Sequence, residues 1–270
     1  MTLKIKKLKI NYKEQKLEIE YFLRLGFKET LLYLHGGACY KNDFLEATKI
    51  PTFNDYTIIA FDFPGCGNST YSKDQNLNID DLVEITHLII KKLNLNNIVL
   101  IGHSMGGLVG LLYVLKYNHI KAFIDIEGNL TSENCVFSRQ VSNCSVHEYK
   151  NILNQLTQNL KNSGNKGLKE WSKTIEKYSD PKAFLHYCYQ IVDYSDNGKL
   201  VKKYIDLKIP TLYIYGSENK KNLIFLKKLK KENCKLAEID NSNHFPFYDN
   251  PKIFYSVFNS FLKQLIVKDL

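Results

Sequence analysis

The stretch "VLIGHSMGGLVGLL", Val99 to Leu112, constrains the fold more than any other part of the chain. A Val/Ile/Leu run meets a helical pattern with only a glycine-flanked turn between them. In that strand–turn–helix setting "GHSMG", Gly102 to Gly106, satisfies G-x-S-x-G. A serine on so sharp a turn takes a strained backbone, and side chains two residues to either side would collide with strand or helix. Gly102 and Gly106 remove those side chains. The Ser104 hydroxyl then stands above a sheet edge, with a helix N-terminus behind it that favours developing negative charge. Alone, the pattern also fits a glycine-rich turn with an incidental serine, so the rest of the chain must decide.

The flanking segments predict a parallel sheet. Leu8, Ile10 and Tyr12, then Leu17, Ile19 and Tyr21 after the polar break "KEQK", alternate with period two and predict an antiparallel hairpin with one buried face. Short continuous apolar runs follow: "TLLYLH" to His35, "TIIAFDF" to Phe63, "NIVLIG", and "KAFIDIE" to Glu127. Between them lie helical patterns, one capped by Asn78 over "IDDLVEITHLIIKKL" and one from Met105 to about Tyr117. Strands buried on both faces and alternating with helices indicate a parallel sheet covered on both sides. From about Leu130 to Asp206 the pattern is helical throughout, before strand returns at "PTLYIYG", Pro210 to Gly216. A lysine-rich helix, the strand "CKLAEID" and a helix from Pro251 complete the chain. So long a helical block between two strands is an insertion, suited to covering the carboxyl edge of the sheet where ligands bind. The expected division is a core of residues 1–129 and 207–270 with a helical cap at 130–206.

Composition excludes several functions. The formal charge of +9 suggests nucleic acid, yet Arg24 and Arg139 are the only arginines and the lysines are scattered. The densest groups, Lys4 to Lys9 and Lys227 to Lys231, alternate with apolar residues as solvated faces do, so no nucleic-acid partner is expected. The six cysteines form no CxxC pair and no zinc spacing. The charged start "MTLKIKKLKINYKEQ" has no signal-peptide core, which with reduced thiols leads us to expect a cytoplasmic protein. Leu95 to Leu115 lacks charged residues but holds Asn96, Asn97, His103, Ser104 and four glycines, so a buried strand–turn–helix is expected there and not a membrane span. No metal or cofactor is expected.

The chemistry needs a base, an acid and an oxyanion hole. The base should follow the nucleophile in the loop after the last strand, and "IDNSNHFPFYDNP" supplies His244 there. Backbone N–H donors are expected from Met105, next to the nucleophile, and from Gly37 in "LHGGACY". Two acids are candidates: Glu127, at the tip of "KAFIDIE", and Glu218, after "TLYIYG". Glu127 ends an apolar strand, where an unpaired carboxylate is costly and an imidazole N–H removes the cost; Glu218 lies among polar residues. Burial cost favours Glu127.

Together, "HGG" at His35 to Gly37, "FDFPGCGNST" at Phe61 to Thr70, "GHSMGG" at Gly102 to Gly107 and "NHFPFYDNP" at Asn243 to Pro251 resemble the α/β-hydrolase fold family over nearly the whole chain. The resemblance implies a mostly parallel eight-stranded sheet with an N-terminal antiparallel hairpin and an inserted helical cap. It implies that Asp62 braces the turn after its strand and that Cys66 is a small filler. Many members carry an aspartate three residues after the glycine closing the seventh strand; here that place is Asn219. Certain haloalkane dehalogenases instead carry a glutamate after the sixth strand, about where Glu127 falls, although those enzymes use an aspartate nucleophile. The implied activity is that of a serine hydrolase acting on a small-molecule acyl substrate, an ester or thioester. Amide or carbon–carbon bond cleavage by the same triad is an alternative, and a non-catalytic ligand-binding protein on the same fold is a rival of another class. Phe184, Tyr187, Tyr189 and Trp171 are candidates to line an acyl pocket, against the plainer expectation that they form the cap's own core.

Overall fold

The computed structural model describes residues 2–71, 76–144 and 146–267. Its eight strands form one sheet in the order β1-β2-β4-β3-β5-β6-β7-β8. β1 (Lys4–Tyr12) and β2 (Gln15–Arg24) make the antiparallel hairpin, and β2 runs antiparallel to β4. β3 (Thr30–Leu34), β4 (Thr57–Phe61), β5 (Ile98–His103), β6 (Ile120–Ile126), β7 (Thr211–Gly216) and β8 (Leu236–Ile239) are mutually parallel. The hairpin buries Ile10, Leu17, Ile19 and Tyr21 on one face, while Lys7 and Glu18 pair across the other at 2.6 Å.

The inner strands are apolar because alternate residues feed two different cores. Leu32, Leu34 and Leu100 pack with α1 (Ile79–Lys92) and α2 (Met105–Lys116). Leu31, Tyr33, Val99 and Ile101 pack with Phe254 and Phe258 of α10 (Pro251–Val267) on the opposite side. Two-sided burial removes any need for polar alternation. Asn78 caps α1 as its sequence predicts, exchanging bonds with Asp81 at 2.8 Å in both directions. The uncharged stretch from Leu95 is β5, the turn and α2, and no helix among the described residues is long and apolar enough to cross a membrane.

Two strands end earlier than their apolar runs. β4 stops at Phe61 because Asp62 leaves the ladder to hold neighbouring loops. Its fully buried carboxylate accepts from the Lys41 and Asn68 amides at 2.7 and 2.9 Å and from Lys41 Nζ at 2.9 Å. Lys41 Nζ also reaches Glu20 Oε1 at 2.6 Å, so one buried lysine ties hairpin, β3 loop and β4 loop together. β3 stops at Leu34, and His35 turns inward to accept the Phe63 N–H on Nε2 at 2.9 Å.

Between β6 and β7 the chain is helical: α3 (Val136–Ser142), α4 (Val146–Lys161), α5 (Lys166–Tyr178), α6 (Pro181–Asn197) and α7 (Leu200–Ile205). α3 packs on α6 and α4 on α5. The layer is pinned to the β4 loop by Gly67 N–H to Tyr178 O (2.7 Å), Asp180 N–H to Gly65 O (2.8 Å) and Tyr187 hydroxyl to Pro64 O (3.0 Å). α8 (Leu226–Lys231) buries Leu226 and Leu229 and turns its lysines outward, as expected.

Candidate active site

Ser104 is held at φ 52°, ψ −117°, between β5 and α2. That left-handed backbone is uncommon for a residue with a side chain and persists only when its surroundings enforce it. A Cβ on Gly102 would lie 2.2 Å from Gly106 O, and one on Gly106 would lie 2.2 Å from Leu34 O. Both glycines are therefore required by close backbone approach. The Ser104 amide donates to Ile126 O at 2.9 Å, which pins the turn to the end of β6.

Ser104 and His244 line the same cleft, about 260 Å³ in volume, at the carboxyl edge of the parallel strands. His244 lies between β8 and α9 (Pro246–Asp249). Its amide donates to Asn243 Oδ1 at 2.8 Å, and its carbonyl lies 2.9 Å from His103 Nε2. A carbonyl only accepts, so His103 carries its proton on Nε2. Burial holds the His103 pKa well below the ordinary histidine value, making it a neutral strut beneath the His244 loop.

Glu127 stands behind His244, with Oε2 3.5 Å from Nδ1. This is ion-pairing distance and long for a hydrogen bond. The Glu127 side chain is 1% exposed and that of His244 11%, so water screens the pair weakly. Glu127 Oε1 accepts from the Gly216 amide at 2.8 Å and Oε2 from Asn219 Nδ2 at 2.5 Å. Asn222 Nδ2 donates to Asn219 Oδ1 at 2.7 Å, and this orients the Asn219 amide with its NH₂ toward Glu127. Asn219 thus supports the carboxylate from the position where many proteins that the chain resembles carry an aspartate. A second carboxylate there would face Glu127 at close range in a nearly dry site. Glu218 is exposed, and its carboxylate accepts from the Asn243 side-chain amide at 3.5 Å.

The loop after β3 carries Gly37. His35 Nε2 accepts from Phe63, so its Nδ1 bears the proton and donates to Gly36 O at 2.8 Å; burial lowers the His35 pKa to about 4 and keeps the ring neutral. The Cys39 amide also reaches Gly36 O, at 3.3 Å. In a trans peptide, holding the Gly36 carbonyl on one side aims the Gly37 N–H to the other. Met105 N–H opens α2 and has no helical acceptor of its own.

Sequence reasoning missed several supports. Lysine normally signals surface, and nothing near Lys41 in the chain foretells its burial. Asp249 had no signal either: it accepts from Asn243 N at 2.9 Å, Asn165 Nδ2 at 2.8 Å and Gly167 N at 2.7 Å, joining the His244 loop to α5. The four cap aromatics divide. Trp171 and Phe184 line the cleft, Tyr187 is fully buried on the β4 loop, and Tyr189 is half exposed with its hydroxyl on Cys144 O. Among the described residues no group of three His, Cys, Asp or Glu could hold a metal ion.

Residues 29–143 match a family model described as alpha/beta hydrolase fold. Two Mycoplasma pneumoniae proteins named "Putative esterase/lipase 1" and "Putative esterase/lipase 2" are 25% identical over 235 residues and 26% identical over 263. These alignments cover 79% of this chain and 84% of the first relative, and 88% of this chain and 90% of the second. A structure from a study of carboxylesterases of Nitrososphaera gargenis superimposes with a TM-score of 0.79 at 17% identity, covering 97% of this chain and all of that one. Sheet order, glycine-flanked serine turn and sequence match agree, and the chain has the alpha/beta hydrolase fold.

Proposed function

We propose that the chain is a serine hydrolase that cleaves a small ester or thioester through an acyl-enzyme on Ser104. The observation that carries this reading is the shared cleft of Ser104 and His244 with buried Glu127 behind the imidazole. The esterase/lipase names of the relatives and the carboxylesterase neighbour support the same activity. In this reading residues 1–129 and 207–270 form the hydrolase core and 130–206 the cap. The all-free cysteines among the described residues accord with a cytoplasmic location.

Ser104 Oγ attacks the acyl carbonyl carbon while His244 Nε2 takes its proton. Glu127 holds Nδ1–H and balances the imidazolium. The Met105 and Gly37 N–H groups receive the oxyanion, each worth about 3 kcal/mol in the transition state. His244 returns the proton to the departing alcohol or thiol, and water, activated by the same imidazole, releases the acid. A cleft of about 260 Å³ falls below the usual range for drug-sized ligands and favours a small substrate.

A fluorophosphonate probe tests the reading. Covalent labelling of the folded protein, lost in Ser104→Ala, is the expected result. Failure of the folded wild type to label, with ligand binding retained, would assign the chain to a non-catalytic binder on this fold.

A further inference from the structure

We propose that Trp171, on cap helix α5, is a positioning residue for the oxyanion hole, so that the seating of the cap sets the catalytic rate; this rests on the acyl-enzyme reading above. Trp171 Nε1–H donates to the Gly37 carbonyl at 3.0 Å, across 134 residues of sequence. Gly37 is the residue whose own N–H is assigned to the oxyanion. Glycine has the widest backbone freedom of any residue, so an N–H at a glycine is well aimed only if both flanking peptides are held. The preceding peptide is held from the core, where His35 Nδ1 and the Cys39 amide bind the Gly36 carbonyl. The following peptide is held by the cap, through the indole. Phe184, also from the cap, would lie 3.2 Å from a Cβ at Gly37, so the cap closes against the bare glycine.

The indole itself is fixed. Phe137 of α3 meets it edge-on at 5.0 Å, and Phe245, next to His244, packs against it at 5.6 Å. Helix α5 is anchored at both ends. Its first turn is tied to Asp249, which also holds the Asn243 amide beside His244. At its last residue, Tyr178 stacks on Tyr40 of the β3 loop at 4.6 Å and accepts the Gly67 N–H at 2.7 Å. One helix therefore touches the base loop, the oxyanion loop and the β4 loop. Burial of the tryptophan in the cap's own core would need only the ring; the bond to Gly37 uses the N–H.

Trp171→Phe separates these roles, because it keeps an aromatic ring and removes the donor. With a short nitrophenyl ester we expect kcat to fall roughly tenfold while KM stays within about threefold, the pattern of an interaction felt in the transition state. Trp171→Ala should lose kcat as well and raise KM, since the cleft wall goes with it. A Trp171→Phe variant with wild-type kcat would overturn the proposal, whatever Trp171→Ala does. Because Trp171 is the chain's single tryptophan, its indole N–H gives one resolved signal in a ¹⁵N-labelled sample. That proton should exchange with solvent far more slowly than in a free indole, and unprotected exchange would equally overturn the proposal. A wild type that never labels at Ser104 would instead refute the acyl-enzyme reading and the positioning role with it; a labelled wild type with an unimpaired Trp171→Phe refutes the positioning role alone.

Discussion

Glu127→Gln removes one charge and leaves the shape almost unchanged. Glu127 Oε2 lies 3.5 Å from His244 Nδ1. At an effective dielectric of about 20, a carboxylate and an imidazolium at that separation attract by about 5 kcal/mol. In the proposed mechanism the imidazolium forms as Ser104 Oγ loses its proton, so this attraction lowers the barrier. About 5 kcal/mol corresponds to roughly several thousandfold in kcat, and misorientation of the histidine tautomer can extend the loss to about ten-thousandfold. The hydrogen bonds sharpen the expectation. Glu127 accepts from Gly216 N and Asn219 Nδ2, and a glutamine amide has one oxygen to offer these donors and the imidazole N–H. One buried donor is left facing an NH₂ group, at a stability cost of about 1–3 kcal/mol. The assay is kcat at saturating short-chain ester, with thermal unfolding to confirm a folded variant and Glu218→Gln as the control. Glu218 is exposed and its carboxylate is bonded by the Asn243 side chain, so its variant should stay within about threefold of wild type. Retention of activity within tenfold by Glu127→Gln, or a larger loss in Glu218→Gln, would refute the assignment of the acid.

Lys41→Met should destabilise the fold by about 3–5 kcal/mol in urea titration, because it leaves the buried carboxylate of Asp62 and the partly buried one of Glu20 without their cation; a loss under about 1 kcal/mol would contradict the bracing role. His35 gives a pH dependence of defined sign. Burial lowers its pKa from 6.5 to about 4, so between those values the native state binds fewer protons than the unfolded chain. Its contribution is full above pH 6.5 and is lost as pH falls through about 4, amounting to about 3 kcal/mol. Urea midpoints between pH 7 and pH 4 should therefore fall further for wild type than for His35→Asn, and parallel curves would count against it.

What could be read from the residues was local. Gly102, Ser104 and Gly106 are neighbours in the chain, and the demand on Gly102 arises within one turn, from the Gly106 backbone, whereas that on Gly106 comes from Leu34 of β3. The inner strands are legible because burial on two faces leaves an unbroken apolar run, as at Leu31 to Leu34. The preference for Glu127 over Glu218 followed from what a carboxylate costs at the end of such a strand, and the structure pairs Glu127 with His244. Asn219 was legible only as a departure from the expected aspartate; its bond to Glu127 spans 92 residues.

By itself, then, the sequence determined the parallel sheet, the strained serine turn, the helical block between β6 and β7, and the residue types available for catalysis. These depend on periodicity and on contacts a few residues long. Only the tertiary structure decided that Lys41 would be a buried brace, that Asp249 would link the His244 loop to α5, and that Trp171 would turn its N–H toward Gly37. Each of these groups is polar, and a polar side chain chooses burial or solvent according to whether partners meet it there. Those partners come from loops far apart in the chain, and folding alone brings them within bonding distance.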